Sequence, residues 1–308
     1  MARKQVKSVA GMVVAITGGA RGIGKATAAA LVRRGARVAI GDLDAGLAEQ
    51  TASELGGNVV AFPLDVTDRS SFESFLDAAE KELGPIDVVI NNAGIMPLNL
   101  LTDESDETAK LMVDINLHGV LFGTKLAMER MVPRRTGHIV NIASQAGKAG
   151  FPGGATYCAT KHAVVGLSEA ARAELRDSNV EVSVVMPAVV NTELGSGLMQ
   201  ARGVKTLEPE DVAEAIVEAI ETNRFEVWVP KETQAIATFM NVIPRRGREA
   251  VARLLKADKI LAQPDKGTRA SYEDRAAHST TETTEMTGVT EVEAKAPETK
   301  VEEPTAKS

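Results

Sequence analysis

Short runs of β-branched and other apolar residues alternate with longer segments of helical period between Gly11 and Pro230. This alternation is typical of βαβ units, in which each strand is followed by a helix and the strands pair in parallel. The apolar runs predict seven strands, near Met12–Thr17, Ala36–Gly41, Asn58–Pro63, Ile86–Asn91, His138–Ala143, Val180–Met186 and Glu226–Val229. The helical segments are Gly22–Arg34, Ala45–Leu55, Arg69–Leu83, Glu104–Met131, Ala155–Asp177 and Pro209–Thr222. Residues 1–230 are therefore predicted to form one α/β domain, a doubly wound parallel sheet with helices on both faces.

The chain after residue 230 changes character twice. Two helices are predicted at Thr233–Val242 and Arg246–Ala262, so that residues 231–263 form a helical extension. Residues 264–308 are rich in Thr, Glu, Ala, Lys and Pro, with ten Asp/Glu against six Lys/Arg from residue 265 onwards. Such a segment buries too little apolar surface to offset the entropy of ordering, and it is predicted to be a disordered acidic tail.

The segment 245–262 combines basic residues with an apolar stripe, which is typical of a helix lying on an anionic membrane surface. The alternative is that the stripe packs on the domain or between subunits while the charges face water, and this interpretation is favoured. The basic residues are Arg245, Arg246, Arg248, Arg253, Lys256 and Lys259, and the apolar ones are Val251, Leu254, Leu255, Ile260 and Leu261.

Composition excludes several classes of protein. The one cysteine, Cys158, allows no intramolecular disulfide, and no Cys/His spacing typical of a metal site occurs, so no metal is predicted. The apolar run from Val9 to Ile16 leads into the first strand and has no cleavage signal, which favours a cytoplasmic location. An aromatic content of 3% without a basic patch gives no support for nucleic-acid binding.

A glycine-rich turn follows the first strand and opens a helix, as Thr17-Gly18-Gly19-Ala20-Arg21-Gly22-Ile23-Gly24. Glycines at such a turn let the backbone approach a pyrophosphate, which the helix N-terminus then holds. Asp42 ends the second strand, where a carboxylate binds an adenosine ribose and repels a 2′-phosphate. NAD is therefore predicted rather than NADP, although Arg21 could pair with a phosphate and argues the other way.

Tyr157 and Lys161 lie one helical turn apart on one face of a predicted helix. An ammonium held close to a phenol stabilises the phenolate and lowers the pKa of the phenol towards neutrality, which would suit proton transfer. Taken alone, the spacing is more often that of a surface pair.

Together these motifs resemble those of the short-chain dehydrogenase/reductase family over roughly residues 10–230. The family pattern TGxxxGxG is present at Thr17, Gly18, Gly22 and Gly24, NNAG at residues 91–94, and YxxxK at Tyr157 and Lys161. The resemblance implies a Rossmann-like fold and an NAD-dependent oxidoreductase. It further implies that Tyr157 is the general acid/base, that Lys161 lowers its pKa and binds the nicotinamide ribose, that Ser144 holds the substrate oxygen, and that Asn116 holds a water leading to solvent.

The cofactor contacts implied by the resemblance continue along the carboxyl edge of the sheet. Asp65 would bind the adenine amine beside Val66, and Val190 and Thr192 would fix the carboxamide. The full implied set is Thr17, Gly18, Arg21, Gly22, Ile23, Gly24, Asp42, Leu43, Asp65, Val66, Asn92, Ala93, Gly94, Tyr157, Lys161, Pro187, Val190 and Thr192. Ala188 replaces the glycine that usually follows Pro187, which puts the local backbone conformation in doubt.

The segments expected around the substrate are mainly apolar and contain no arginine suited to a carboxylate. Together with Ser144, the predicted contacts are Met96, Phe151, Leu194 and Leu198, with Gly195 and Gly197 as hinges of a mobile segment. A hydrophobic secondary alcohol or its ketone, steroid-like or lipid-like, is therefore the predicted substrate. The alternatives are an NADPH-dependent carbonyl or 3-oxoacyl reductase and a nucleotide-sensing binding protein. The resemblance also implies a homodimer or homotetramer.

Overall fold

Seven parallel strands form one sheet in the order β3-β2-β1-β4-β5-β6-β7 in this computed structural model, which describes residues 7–199, 206–254 and 260–277. The strands are β1 Val13–Thr17, β2 Arg37–Asp42, β3 Val59–Pro63, β4 Val88–Asn91, β5 Gly137–Ile142, β6 Val180–Pro187 and β7 Glu226–Val229. From β1 the chain adds strands β2 and β3 towards one edge of the sheet and β4 to β7 towards the other. The point of reversal lies between β1 and β4, where a crevice opens beyond the carboxyl ends of the strands. The predicted doubly wound, Rossmann-like sheet is confirmed.

Helices cover both faces of the sheet. They are α1 Gly22–Val32, α2 Ala45–Leu55, α3 Arg69–Leu83, α4 Asp106–Val113, α5 Gly119–Arg134, α6 Ala155–Glu174, α7 Pro209–Thr222, α8 Glu232–Val242, α9 Arg245–Leu254 and α10 Lys266–Ala277. On one face α1, α2 and α7 bury residues such as Leu31 and Ile216 against the sheet, and on the other α3 and α5 bury Phe72 and Leu126. Each such side chain contributes roughly 1.5–3 kcal/mol to stability. Both faces of the sheet are thus buried, as the continuous apolar strands require.

The predicted helix Glu104–Met131 is not continuous. Ser105 caps α4 by accepting a hydrogen bond from Thr108 N, and residues Asp114–His118 then form a π-helical turn before α5 begins. A π-turn inserts an extra residue in one turn of helix, which periodicity in the sequence does not reveal. The π-turn contains Asn116, one of the residues that the family resemblance singled out.

The disordered tail predicted from residue 264 is wrong at its beginning, because Lys266–Ala277 forms helix α10. Arg269, Tyr272 and Ala276 of this helix are buried, and they follow a helical spacing along one face. Because the segment is polar on average, its composition did not reveal these three buried positions. The remainder of the predicted tail, residues 278–308, lies outside the described residues.

The predicted helix Arg246–Ala262 is shorter than expected: α9 ends at Leu254 in the described residues, and residues 260–262 lie in a turn. The predicted apolar stripe is also divided, since Leu261 is buried whereas Leu254 is 70% exposed. Ile236, Phe239 and Val242 of the adjoining helix α8 are exposed as well. None of the helices in the described ranges is long and apolar enough to cross a membrane.

Candidate active site

A deep cleft runs along the carboxyl edge of the sheet, and its volume is about 2640 Å³. Single drug-sized ligands occupy roughly 300–1,000 Å³, so this cleft has room for a dinucleotide and a further molecule. Nearly all of the predicted site residues line it: Gly18, Arg21, Gly22, Ile23, Asp42, Leu43, Asp65, Val66, Asn92, Ala93, Gly94, Met96, Ser144, Phe151, Tyr157, Lys161, Pro187, Val190, Thr192, Leu194 and Leu198. The predicted residues outside this lining are Thr17, Gly24 and Asn116.

The glycine-rich turn is built so that only glycine fits at its key positions. Gly18 and Gly22 have φ of +65° and +53°, in the left-handed region that favours glycine. A Cβ atom at Gly24 would lie 2.1 Å from Gly18 O. The turn therefore brings bare backbone against the cleft at the N-terminus of α1, a cradle that a side chain would fill.

Thr17 and Asn92 hold this turn to the end of β4 and act as supports. Thr17 Oγ1 accepts hydrogen bonds from Asn92 N and Ala93 N, both at 3.0 Å. Asn92 Nδ2 in turn donates to Thr17 O and Gly18 O, both at 2.9 Å. Asn92 therefore has a structural role at the end of β4 as well as a place in the cleft lining.

The carboxylates of Asp42 and Asp44 line the cleft where β2 ends. Asp42 accepts hydrogen bonds from Ala20 N and Asp44 N at 3.0 and 3.2 Å, and burial raises the pKa of its carboxyl against the lowering effect of these bonds. Arg21, the cation that argued for NADP, is paired with Asp44 at 2.9 Å and with Glu193 at 3.4 Å. Its main partner is therefore Asp44, since Glu193 also pairs with Arg275 at 2.7 Å.

The remaining cofactor positions also have defined local structure. Asp65 Oδ1 accepts from Thr67 N at 2.8 Å and Thr67 Oγ1 at 2.7 Å, which fixes the carboxylate at the cleft. Val190 forms a bridge to Leu207, and Thr192 Oγ1 accepts from Gly195 N at 3.2 Å. Ala188 has no positive φ, so the backbone there does not need the usual glycine.

Tyr157 and Lys161 are both buried at the cleft, 7% and 5% exposed, on the face of α6 turned to the sheet. Burial raises the pKa of Tyr157 to about 12, although a hydrogen bond with Ser144 lowers it. Burial also lowers the pKa of Lys161 to about 8. The Lys161 Nζ atom donates to Ile142 O at 3.0 Å and lies 5.7 Å from the centroid of the Tyr157 ring.

The net shift of the phenol pKa is thus opposite to the lowering expected from the Tyr–Lys spacing. Both groups are removed from water, and this desolvation is the largest cause of each shift. The Tyr157 phenol of the protein alone is consequently protonated at neutral pH and can act as a proton donor.

Asn116 and Ser144 are placed by two irregular turns. The side chain of Asn116, on the π-turn, accepts from Ile95 N and donates to Ile95 O, both at 2.8 Å. It thereby anchors the segment after Gly94, and a Cβ at Gly94 would lie 3.1 Å from Asn116 Oδ1. Ser144 follows β5 and accepts from Ala146 N at 3.1 Å as the cap of a 3-10 turn.

The four apolar substrate contacts predicted from the sequence are brought together around Tyr157. Met96 is buried there, and Phe151, Leu194 and Leu198 pack against the same cluster. Sequence reasoning missed three further residues at this place, Leu261, Arg269 and Tyr272. The only signal was the helical spacing of Arg269, Tyr272 and Ala276 within a polar segment. Within the described residues, no group of three or more His, Cys, Asp or Glu side chains is placed to hold a metal ion.

The known proteins that the chain resembles belong to one family, but their names indicate different substrates. The family model described as short chain dehydrogenase matches residues 12–203. The 17-beta-hydroxysteroid dehydrogenase 13 of Rattus norvegicus is 33% identical over 255 residues, which is 80% of this chain and 84% of that protein. The galactitol 2-dehydrogenase of Agrobacterium fabrum is 35% identical over 234 residues, 74% of this chain and 89% of that protein.

A solved structure is similar over most of the fold. It is a short chain dehydrogenase/reductase from Burkholderia phymatum in complex with NAD, with a TM-score of 0.70 and 27% identity. The match covers 76% of this chain and 94% of that one.

Proposed function

The chain belongs to the short-chain dehydrogenase/reductase family and is an NAD(P)-dependent oxidoreductase acting on alcohols or ketones; from this premise we propose that it uses NAD(H) to interconvert a hydrophobic secondary alcohol and its ketone. The observation that carries the proposal is the convergence of Ser144, Tyr157 and Lys161 at the edge of an apolar cluster in the cleft.

Tyr157 supplies the proton in this proposal. Because burial keeps its pKa near 12, the phenol is protonated at neutral pH and can donate to a carbonyl oxygen during reduction. The Ser144 hydroxyl, which can donate or accept, holds the same oxygen in either oxidation state. The charge of Lys161 favours the phenolate left behind, and Asn116 would hold a water that links Lys161 to bulk solvent.

The glycine cradle, Asp42 and the α1 N-terminus fit a dinucleotide. The backbone at Gly18 and Gly22, which line the cleft, would hold a pyrophosphate, while Gly24 allows the close packing of the turn against Gly18 O. The bound nicotinamide would supply or accept the hydride. Asp42 would bind the adenosine ribose and Asp65 the adenine. Pro187, Val190 and Thr192 line the cleft where the nicotinamide carboxamide would lie.

NAD is favoured over NADP by the charges around the ribose position. A 2′-phosphate would approach the carboxylates of Asp42 and Asp44, which would repel it. Arg21, which could attract the phosphate, already contacts Asp44 and Glu193. The NADPH-dependent carbonyl or 3-oxoacyl reductase remains the second candidate, because Arg21 could exchange one of these partners for a phosphate. The nucleotide-sensing binding protein loses support, since a buried, paired Tyr–Lys–Ser group is not needed for binding alone.

The substrate class follows from the lining of the cleft beside Tyr157. Met96, Phe151, Leu194 and Leu198 present apolar surface, which favours a steroid-like or lipid-like molecule over the sugar alcohol named in one relative.

The test is an NAD(H)-linked absorbance assay over a panel of steroids, long-chain alcohols and ketones, polyols and hydroxy acids. Turnover of the hydrophobic compounds with NADH preferred to NADPH is expected. Turnover of polyols or hydroxy acids alone would contradict the proposed substrate class, and preference for NADPH would favour the second candidate.

A further inference from the structure

The segment formed by residues 260–277, termed the C-terminal arm, packs over the loops that surround Tyr157. Its buried side chains are Leu261, Arg269, Tyr272 and Ala276, while the other described residues of α10 are exposed or half-buried. The arm lies outside residues 12–203, the part that matches the family model. Leu261 and Tyr272 of the arm nevertheless line the cleft of the candidate active site.

Arg269 fastens the arm, and it is only 1% exposed. Its guanidinium donates to Leu194 O and Ser196 O, both at 2.9 Å, and to Met96 O at 2.8 Å. Its Nε atom is paired with Glu273 at 2.8 Å. A buried charge is tolerated only when its hydrogen bonds are made, so this arrangement ties the arm to two separate substrate loops.

Tyr272 and Leu261 complete the apolar cluster from the outer side. Met96 N donates to Tyr272 Oη at 2.6 Å, and burial raises the pKa of this phenol above its usual range. Leu261 belongs to the same cluster as Tyr157 and Met96. A Cβ at Gly154 would lie 2.7 Å from Leu261 Cδ1, so the loop before α6 is shaped to receive this leucine.

The arm also reaches the segment predicted to move. Asp265 N donates to Gly197 O at 2.9 Å, and Gly197 has φ of +67°. The hinge glycine expected from the sequence is thus bonded to the arm, and the loop after β6 and the arm form one surface.

We propose that the C-terminal arm is the outer wall of the substrate site, held by Arg269, and that Tyr272 and Leu261 limit the size of the alcohol or ketone that the enzyme accepts. The proposal rests on the proposed function for the identity of the reaction. It adds size selection by residues outside the matched family segment to the apolar lining formed by Met96, Phe151, Leu194 and Leu198.

The test of size selection uses alkyl phenyl ketones of increasing alkyl length. Dissociation constants are measured in the presence of NAD⁺, which cannot reduce them, by quenching of Trp228, the one tryptophan of the chain and part of the cleft lining. In Tyr272→Ala the ratio of affinities for the longest and shortest ketones should move towards the longest by about tenfold, the size of effect that a few methylenes produce in a pocket. In Tyr272→Phe, which keeps the ring, the ratio should stay within about twofold of the wild type.

An unchanged ratio in Tyr272→Ala, with NAD⁺ binding intact, would overturn the proposal. The same ketones are also assayed for turnover with NADH. If Tyr272→Ala shifts the affinity ratio but the wild type reduces none of the ketones, the result supports the arm and contradicts the proposed function. Turnover with no dependence of selectivity on Tyr272 would do the reverse.

The fastening role of Arg269 is tested by hydrogen exchange in the full chain. Arg269→Met should increase exchange in peptides that cover residues 94–98 and 194–198 by about tenfold or more, since three hydrogen bonds to these loops are lost. Arg34→Met is the matched control, because Arg34 also pairs with a backbone carbonyl and a carboxylate but lies at the far end of α1. Unchanged protection of both loops in Arg269→Met would refute the fastening role.

Discussion

Replacing Lys161 by methionine removes a buried charge while keeping an unbranched side chain of similar length. The structure lowers the pKa of Lys161 from 10.5 to about 8 through burial. A difference of one pKa unit corresponds to about 1.4 kcal/mol, so holding this lysine charged at pH 7 costs the folded protein about 3 kcal/mol. The substitution also removes the hydrogen bond from Nζ to Ile142 O, and leaving that carbonyl without this donor costs roughly 1–2 kcal/mol. We therefore expect Lys161→Met to stabilise the unliganded protein by about 1–2 kcal/mol at pH 7 while abolishing turnover.

The pH dependence of this gain has a definite sign. Because the folded pKa lies below the unfolded one, the unfolded chain binds more protons between about pH 8 and 10.5, and the wild type gains stability as pH rises through that window. The advantage of the variant should accordingly shrink from pH 7 to pH 10. Urea unfolding at the two pH values measures it, with Lys161→Arg as the control that keeps the charge. A variant less stable than the wild type at pH 7, or a difference that does not change with pH, would refute the reasoning.

Three further predictions concern the cofactor, the substrate oxygen and the exposed helices. Asp42→Asn should raise the affinity for NADPH relative to NADH by about tenfold, because removing one of two like charges near a phosphate is worth roughly 1–4 kcal/mol. Fluorescence titration with both cofactors measures the ratio of affinities. An unchanged ratio would show that Asp42 does not determine the preference for NADH over NADPH. Ser144→Ala should lower kcat by about 10²-fold with NADH affinity unchanged, and steady-state kinetics showing a normal kcat would remove its role. If α8 and α9 contact membranes, phosphatidylglycerol vesicles should co-sediment the protein in a salt-sensitive way that Phe239→Asp abolishes; absence of co-sedimentation would leave packing between subunits as the interpretation.

The sheet and the cofactor cradle could be predicted because their signals are local. The strand Val13–Thr17 is buried at all five positions and apolar at the first four, since both faces of the sheet are covered. Gly18, Gly22 and Gly24 are fixed by backbone geometry or close contacts that no other residue meets. These requirements act within a few residues of chain. The sequence therefore displays them directly.

The C-terminal arm could not be predicted in the same way. Its anchor is an arginine, a residue type that sequence patterns assign to the surface, and the charge is satisfied by carbonyl groups of loops far away in the chain, such as Met96 O. The sign of the pKa shift of Tyr157 was missed for a related reason. The spacing of Tyr157 and Lys161 shows that the two can meet, but the burial that decides both pKa values arises from the tertiary fold.

The central claim is that the phenol of Tyr157 transfers the proton to and from the substrate oxygen. Tyr157→Phe removes only the phenol oxygen and keeps the buried aromatic ring. Turnover of a hydrophobic ketone by Tyr157→Phe should fall by about 10²- to 10⁴-fold, whereas NADH binding, read by energy transfer from Trp228, should stay unchanged. Near-normal turnover by Tyr157→Phe with bound NADH would contradict the account.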